Sequence, residues 1–250
     1  MNRRVPIGLA VRLTTTVALL LGCSLAQETP PRTETKPAEQ PAAQDAPTAA
    51  PSERPRPTDA KALFALFRAM TGLEASFTEQ KHLALLARPL RSKGRLFFHR
   101  PEAGKPGYLA RVVDEPEPSS VRITPDELRM TNRDGSEVVD LRRSDDLRAF
   151  VTTLVRVFEG DEATLAKAFA VTYAKDATDE LAWSLRLVPK EKPLTQMLGA
   201  LVLAGRGEAV SRIEVEEPNR DRTVTTIVAA DPRRVFTPQE LQQLFGIAPK

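Results

Sequence analysis

The stretch PLRSKGRLFF, Pro89 to Phe98, decides the fold. Leu90, Ser92, Gly94, Leu96 and Phe98 alternate with Arg91, Lys93, Arg95 and Phe97. Successive side chains of a strand point to opposite faces, so this period of two describes a strand with one dry and one wet face. A half-wet strand belongs to an antiparallel sheet, and the dry face of that sheet needs an apolar cover.

Upstream, Leu63, Leu66, Phe67, Met70 and Leu73 recur at helical spacing behind Pro57, Thr58 and Asp59, which predicts a capped amphipathic helix to supply that cover. Downstream, the same alternation predicts strands at Tyr108 to Val113, Ser120 to Ile123, Glu127 to Met130 and Glu137 to Leu141. Pro116, Pro118 and Pro125 mark breaks, and NRDGS, Asn132 to Ser136, reads as a hairpin turn that needs Gly135. A second helix starts behind Ser144, with Asp145 and Asp146 at its positive end. It carries Leu147, Phe150, Val151, Leu154 and Phe158 and stops at Gly160. Glu162 to Phe169 reads as a short turn. Strands follow at Ala170 to Ala174, Leu181 to Val188, Leu198 to Ala204, Val210 to Glu216 and Thr223 to Ala229, with Leu181, Trp183, Leu185 and Leu187 on one face. Thr237, Pro238 and Glu240 form a capping box before a short helix carrying Leu241, Leu244 and Phe245 and ended by Gly246. The sum is a mainly β fold with a few helices, a meander of about ten strands curling around its helices.

The N-terminus reads as an export signal over residues 1–22. Arg3 and Arg4 precede an uncharged run from Leu13 to Leu21, far shorter than the roughly 20 residues that span a bilayer. Two cuts compete. Cleavage after Ala26 would use the small residues of Ser24-Leu25-Ala26, and Cys23 would be discarded. Leu20-Leu21-Gly22-Cys23 resembles the lipobox of bacterial lipoproteins, in which the Cys is lipidated and becomes the N-terminus. Cys23 is the sole cysteine, so the fold holds no internal disulfide and depends on its core. Residues 23–57 read as a disordered tether. From Gln27 to Pro57 there is no Leu, Ile, Val, Met, Phe, Trp or Tyr, and eight of the 21 prolines fall there. The remaining 58–250 suits one domain.

Little in this chain points to chemistry. There is no GxSxG, GxGxxG or phosphate-cradling GxxxxGK[ST], and His82 and His99 lie apart with no Cys or HExxH beside them. Both histidines are expected on wet strand faces. The paired carboxylates Asp114–Glu115, Asp145–Asp146 and Glu216–Glu217 sit in loops, caps or strand ends, where a solvated role is the common one. No catalytic residue, metal or cofactor is expected. With 36 basic and 33 acidic residues spread along the chain, the net charge of +3 is no nucleic-acid footprint.

Longer segments carry a resemblance. LEASFTEQKHLALLARPLRSKGRLFFHRP, Leu73 to Pro101, resembles the start of the LolA-type outer-membrane lipoprotein carriers of Gram-negative bacteria. A helix there precedes a Phe and a Gln-Lys strand, followed by a Gly-containing strand ending in Arg-Pro. DEATLAKAFAVTYAKDATDELAWSLRLVPK, Asp161 to Lys190, is similar to that family's central segment, a short helix before two strands. LVLAGRGEAVSRIEVEEPNRDRTVTTIVAA is similar to its closing hairpins.

The resemblance implies an incomplete barrel closed by lid helices over an apolar cavity for acyl chains of lipoproteins or lipids, and no reaction. It assigns Arg100, the Arg of Arg-Pro, to holding the lid through helix carbonyls. It makes Leu109, Leu128, Met130, Trp183, Leu185, Leu201 and Leu203 candidate cavity walls. It implies a periplasmic monomer working between an inner-membrane lipoprotein-release transporter and an outer-membrane acceptor. Two other roles are implied by relatives: an anchored acceptor, held at the outer membrane through Cys23, and a lipid or lipoprotein sensor that regulates a membrane partner. The chain departs from the family pattern in three places. Arg111 stands where an aromatic is usual, Gly104 to Gly107 is extra loop, and Pro125-Asp126 replaces an Asp-Gly turn.

Overall fold

The computed structural model describes residues 57–102 and 105–247. The signal segment, Cys23, the tether up to residue 56, and Gly104 of the extra loop lie outside the described residues.

Eleven strands form one antiparallel sheet: β1 Gly72–His82, β2 Leu90–His99, β3 Tyr108–Glu115, β4 Ser119–Ile123, β5 Glu127–Asn132, β6 Gly135–Asp140, β7 Phe169–Lys175, β8 Ala182–Pro189, β9 Ala200–Arg206, β10 Ala209–Glu216 and β11 Arg222–Asp231. Their order is β6-β5-β4-β3-β2-β1-β11-β10-β9-β8-β7, so each wing is a plain meander. The wings join where β1 pairs with β11, from Glu74 opposite Asp231 to His82 opposite Arg222. β6 and β7 remain edges, and the sheet does not close into a barrel. Laid flat, eleven strands would span about 48 Å. Yet Met130 of β5 and Leu185 of β8 belong to one buried cluster, which requires the sheet to curl.

The helices fill that curl. Helix α1, Ala60–Ala69, is capped by Asp59, which accepts from the Ala62 N–H at 2.8 Å, and it buries Leu63, Phe64 and Phe67. It ends at Met70, whose backbone is extended. Leu73, which fits the helical spacing, belongs instead to β1 and lies opposite Phe98 of β2. Periodicity alone could not see this stop, because the chain turns at Gly72, where an added Cβ would meet the Arg234 carbonyl at 2.0 Å. Helix α2, Asp145–Glu159, is capped by Ser144 and stopped by Gly160, which is left-handed at φ 63°. Residues Glu162–Ala168 are a helix, α3, as the family resemblance implies, and not the turn expected from the residue pattern alone. Asp161 caps it through the Thr164 N–H, and Leu165 anchors it as the one fully buried side chain, too sparse a signal for a periodicity reading. A short turn of helix, α4, spans Leu194–Met197.

The opposite face carries a second, smaller core. The chain after β11 crosses back over β2 and β3, and the capping box at Thr237 and Glu240 starts α5, Pro238–Glu240, which runs into a π-helical turn, Leu241–Phe245. Phe236 and Phe245 cover Phe97 and Ala110. The expected wet face is therefore dry at Phe97. His99 also departs from its expected exposed position: its ring lies 5.9 Å from Phe236 and 5.8 Å from Phe245.

Candidate functional site

Helix α1 is pinned at both ends. At its start, the Tyr173 hydroxyl of β7 donates to the Pro57 carbonyl at 2.7 Å. At its end, Arg100, placed just beyond β2, donates from Nη1 to the Arg68 carbonyl at 2.8 Å. The Arg68 side chain in turn donates to the Gly160 carbonyl at the end of α2, at 3.2 Å. Two helix C-termini thus meet, with the guanidinium groups of Arg68 and Arg100 on the carbonyls that the macrodipoles make negative. The Arg100 guanidinium also lies 5.7 Å from the Phe98 ring. Burial, and also the Arg156 and Arg68 charges, push Arg100 down from the usual arginine range, while Glu159 opposes them.

Glu159 completes this corner. A carboxylate at a helix C-terminus opposes the dipole, and this one is buried, so it needs partners. It accepts from the Gly107 N–H at 2.6 Å and from Arg156 at 2.6 Å, tying the β2–β3 loop to α2. Gly107 is required there: a Cβ would meet the Phe98 ring at 2.5 Å. The family resemblance marks Arg100, whereas Arg68, Glu159 and Tyr173 are not marked; only Glu159 carries a local signal, an acid in the last position before a glycine stop, where a base is favoured.

Leu109, Leu128, Met130, Trp183, Leu185, Leu201 and Leu203 come from four strands, β3, β5, β8 and β9, of both wings and meet in one cluster with Phe64 and Phe67 of α1 and Phe150 of α2. All seven are buried. Trp183 satisfies its indole N–H on the Gly207 carbonyl at 2.8 Å. The inner face of the sheet is thus apolar wherever the helices lie on it.

One end of that face is polar. Glu79, Lys81 and Arg111 are 4%, 2% and 9% exposed. Glu79 accepts from Arg111 at 2.8 Å, Ser92 at 3.2 Å and Thr225 at 2.9 Å. Lys81 pairs with Glu217 at 3.1 Å. Arg111 stacks over Phe77, its guanidinium 4.8 Å from the ring centroid. Arg111 is thus held on both sides by partners of its own. Among the described residues, no cluster of His, Cys, Asp and Glu could hold a metal, and no helix is long and apolar enough to cross a membrane.

An open antiparallel sheet with an apolar inner face, covered by a helix pinned at both ends, is the architecture of this site. The chain belongs to the family described as outer membrane lipoprotein carrier protein LolA-like, whose model matches residues 52–246. No curated protein matches it in sequence. Among solved structures it is similar to a DUF1329 family protein from Desulfovibrio piger, at 13% identity and a TM-score of 0.43, covering 74% of this chain and 96% of that one. It is also similar to a putative outer membrane lipoprotein-sorting protein domain from Vibrio parahaemolyticus, at 9% identity, a TM-score of 0.43, and 74% and 94% coverage. The lipoprotein LppX of Mycobacterium tuberculosis is 10% identical, with a TM-score of 0.35 and 66% and 93% coverage.

Proposed function

We propose that this chain is an exported, non-enzymatic carrier that holds acyl chains of a lipoprotein or lipid between the inner face of its sheet and helix α1. The observation that carries this reading is the bond from Arg100 to the Arg68 carbonyl, which latches a helix over a face lined by Leu109, Leu128, Met130, Trp183, Leu185, Leu201 and Leu203. Lifting α1 uncovers these side chains and creates the cavity. A hydrogen bond with a charged donor contributes about 1 to 3 kcal/mol, toward the lower end for a partly solvated guanidinium. That amount shifts a two-state lid by roughly five- to 150-fold. Such a protein works as a periplasmic monomer, loaded by an inner-membrane release transporter and unloaded at an outer-membrane acceptor.

The test compares wild type and Arg100→Leu for uptake of a fluorescent acyl probe and for transfer of a triacylated lipoprotein to an acceptor. Arg100→Leu is expected to open the lid or to slow transfer, with global stability nearly unchanged. No uptake by wild type overturns the carrier reading; equal uptake and transfer by both proteins removes only the role of Arg100.

The Leu20-Leu21-Gly22-Cys23 order favours a second reading, an acceptor anchored at the outer membrane. Lipidated Cys23 with two or more acyl chains would hold firmly, and Cys23→Ala would release the protein to the soluble periplasm. Intact mass spectrometry of the protein from its native envelope decides it: added lipid mass at Cys23 supports the anchor, and an unmodified N-terminus at Gln27 ends it.

A further inference from the structure

The connection between β1 and β2 is built as a projecting apolar tip. It reads LALLARP from Leu83 to Pro89, and Leu85 is 97% and Leu86 48% exposed. Ala84 and Ala87 beside them are also exposed. The tip is held in place. Within it, the Leu86 N–H donates to the Leu83 carbonyl at 3.0 Å. From the neighbouring β10–β11 turn, Asp221 accepts the Ala84 N–H at 2.8 Å, and at the base the buried Lys81 pairs with Glu217 of the same turn. Two hairpins brace each other, and the leucines are carried outside the brace.

The surroundings are cationic. Arg88 and Arg91 flank the tip and Arg220 stands on the bracing turn, none with an ion-pair partner among the described residues. Of the nearby acids, Glu217 is neutralised by Lys81, whereas Asp221 keeps its charge, held by the neutral Ala84 N–H and Asn219 amide, so the three arginines leave the collar net positive. An exposed pair of leucines with a basic collar matches the headgroup boundary of an anionic bilayer, where apolar side chains insert and arginines stay at the phosphates. A protein partner fits less well, because a tip of a few residues falls far short of the roughly 800 Å² per partner of a stable interface.

We infer that the β1–β2 hairpin is a membrane-docking finger: Leu85 and Leu86 enter the interface of an anionic bilayer while Arg88, Arg91 and Arg220 contact lipid phosphates. The finger lies at the end of β1 opposite Gly72, whereas the Arg100 latch lies at the Gly72 end. It acts independently of acyl-chain binding.

The test uses the chain recovered after export with Cys23→Ser, so that no lipid is attached. Because Cys23 is the sole cysteine, Leu85→Cys in that background accepts one environment-sensitive fluorophore. On extruded vesicles containing phosphatidylglycerol, its emission should shift to the blue, and the unlabelled protein should float with them. Leu85→Ser with Leu86→Ser should lower partitioning about tenfold or more. Arg88→Gln with Arg91→Gln should lower it about tenfold on phosphatidylglycerol vesicles and leave it unchanged on phosphatidylcholine. Uptake of an acyl probe should stay the same in both variants, which confirms folding and separates this surface from the cavity. Failure of wild type to bind either vesicle, or equal binding by the leucine variant, overturns the inference. So does a blue shift seen only when the vesicles carry envelope proteins, which would make the finger a protein-docking surface.

Discussion

Arg111 is the side chain most at odds with its surroundings. It faces inward on β3, two residues from Leu109, where the neighbouring inward positions are apolar. Its charge is tolerated because its guanidinium reaches across β2 to Glu79 of β1, itself held by Ser92 and Thr225. Removing one member of a buried pair leaves the other uncompensated, which costs about 3 to 5 kcal/mol, whereas replacing both with apolar groups is often nearly neutral. Arg111→Leu should therefore lower the urea midpoint strongly, and Arg111→Leu with Glu79→Leu should restore most of it. A double variant as unstable as the single would show that the pair is not the cause. On the other face, burial against Phe236 and Phe245 lowers the pKa of His99 below the ordinary 6.5. The unfolded chain then binds the proton more readily than the folded one. The contribution to stability is thus complete above pH 6.5 and is lost as pH falls below it. Phe236→Ala, by admitting water, should return the His99 titration toward 6.5 when followed by NMR; a titration already at 6.5 in wild type would refute the burial argument.

Helix α2 depends on the residue that stops it. Gly160 is left-handed at φ 63°, and a Cβ there would also meet the Phe64 carbonyl at 2.2 Å and the Arg68 N at 2.7 Å. The conformation alone costs a non-glycine residue about 1 to 2 kcal/mol. Gly160→Ala should exceed that, since the clash also forces α1 from α2, and should lower the melting temperature by more than about 4 °C. A neutral substitution would mean that α1 shifts without cost. This stop was legible in the sequence, as were the caps at Asp59, Ser144 and Thr237 and the turn at Gly135, because each is set by residues within one turn of chain. The alternation in β2 was legible for the same reason. What escaped is tertiary. Leu73 continued a helical period but is a strand residue because Gly72 meets the chain near Arg234. Phe97 lay on a charged face but is buried by a segment roughly 140 residues later. At the site, Arg100 was marked by its Arg-Pro setting, whereas its acceptor is a backbone carbonyl, a group every residue carries, and no sequence pattern could single out Arg68.

At the scale of the molecule, the topology decides which cover can move. Strand β1 is the centre of the sheet, with five strands on either side. Helices α2 and α3 connect β6 to β7, the two edges, so they bridge the opening and are held at both ends by the sheet. Helix α1 is covalently joined to the sheet only through β1. Its other end is held by the Tyr173–Pro57 bond, and its own last turn by Arg100. Of the helices on the inner face it is therefore the one that can leave without breaking the ladder, and local opening follows such singly tethered units. Amides of α1 should exchange with deuterium faster than those of β1, β2 and β11, which open only with the whole fold. Tyr173→Phe should accelerate α1 exchange by removing one hydrogen bond, on the order of 1 kcal/mol or about fivefold, and leave β1 untouched. Bound acyl probe should change exchange in α1 far more than in α2. If α1 instead exchanges at the rate of β1 in wild type and in Tyr173→Phe, it is part of the global core. On the carrier reading proposed above, an acyl chain would then have to enter between the edge strands β6 and β7 rather than beneath a lifted helix.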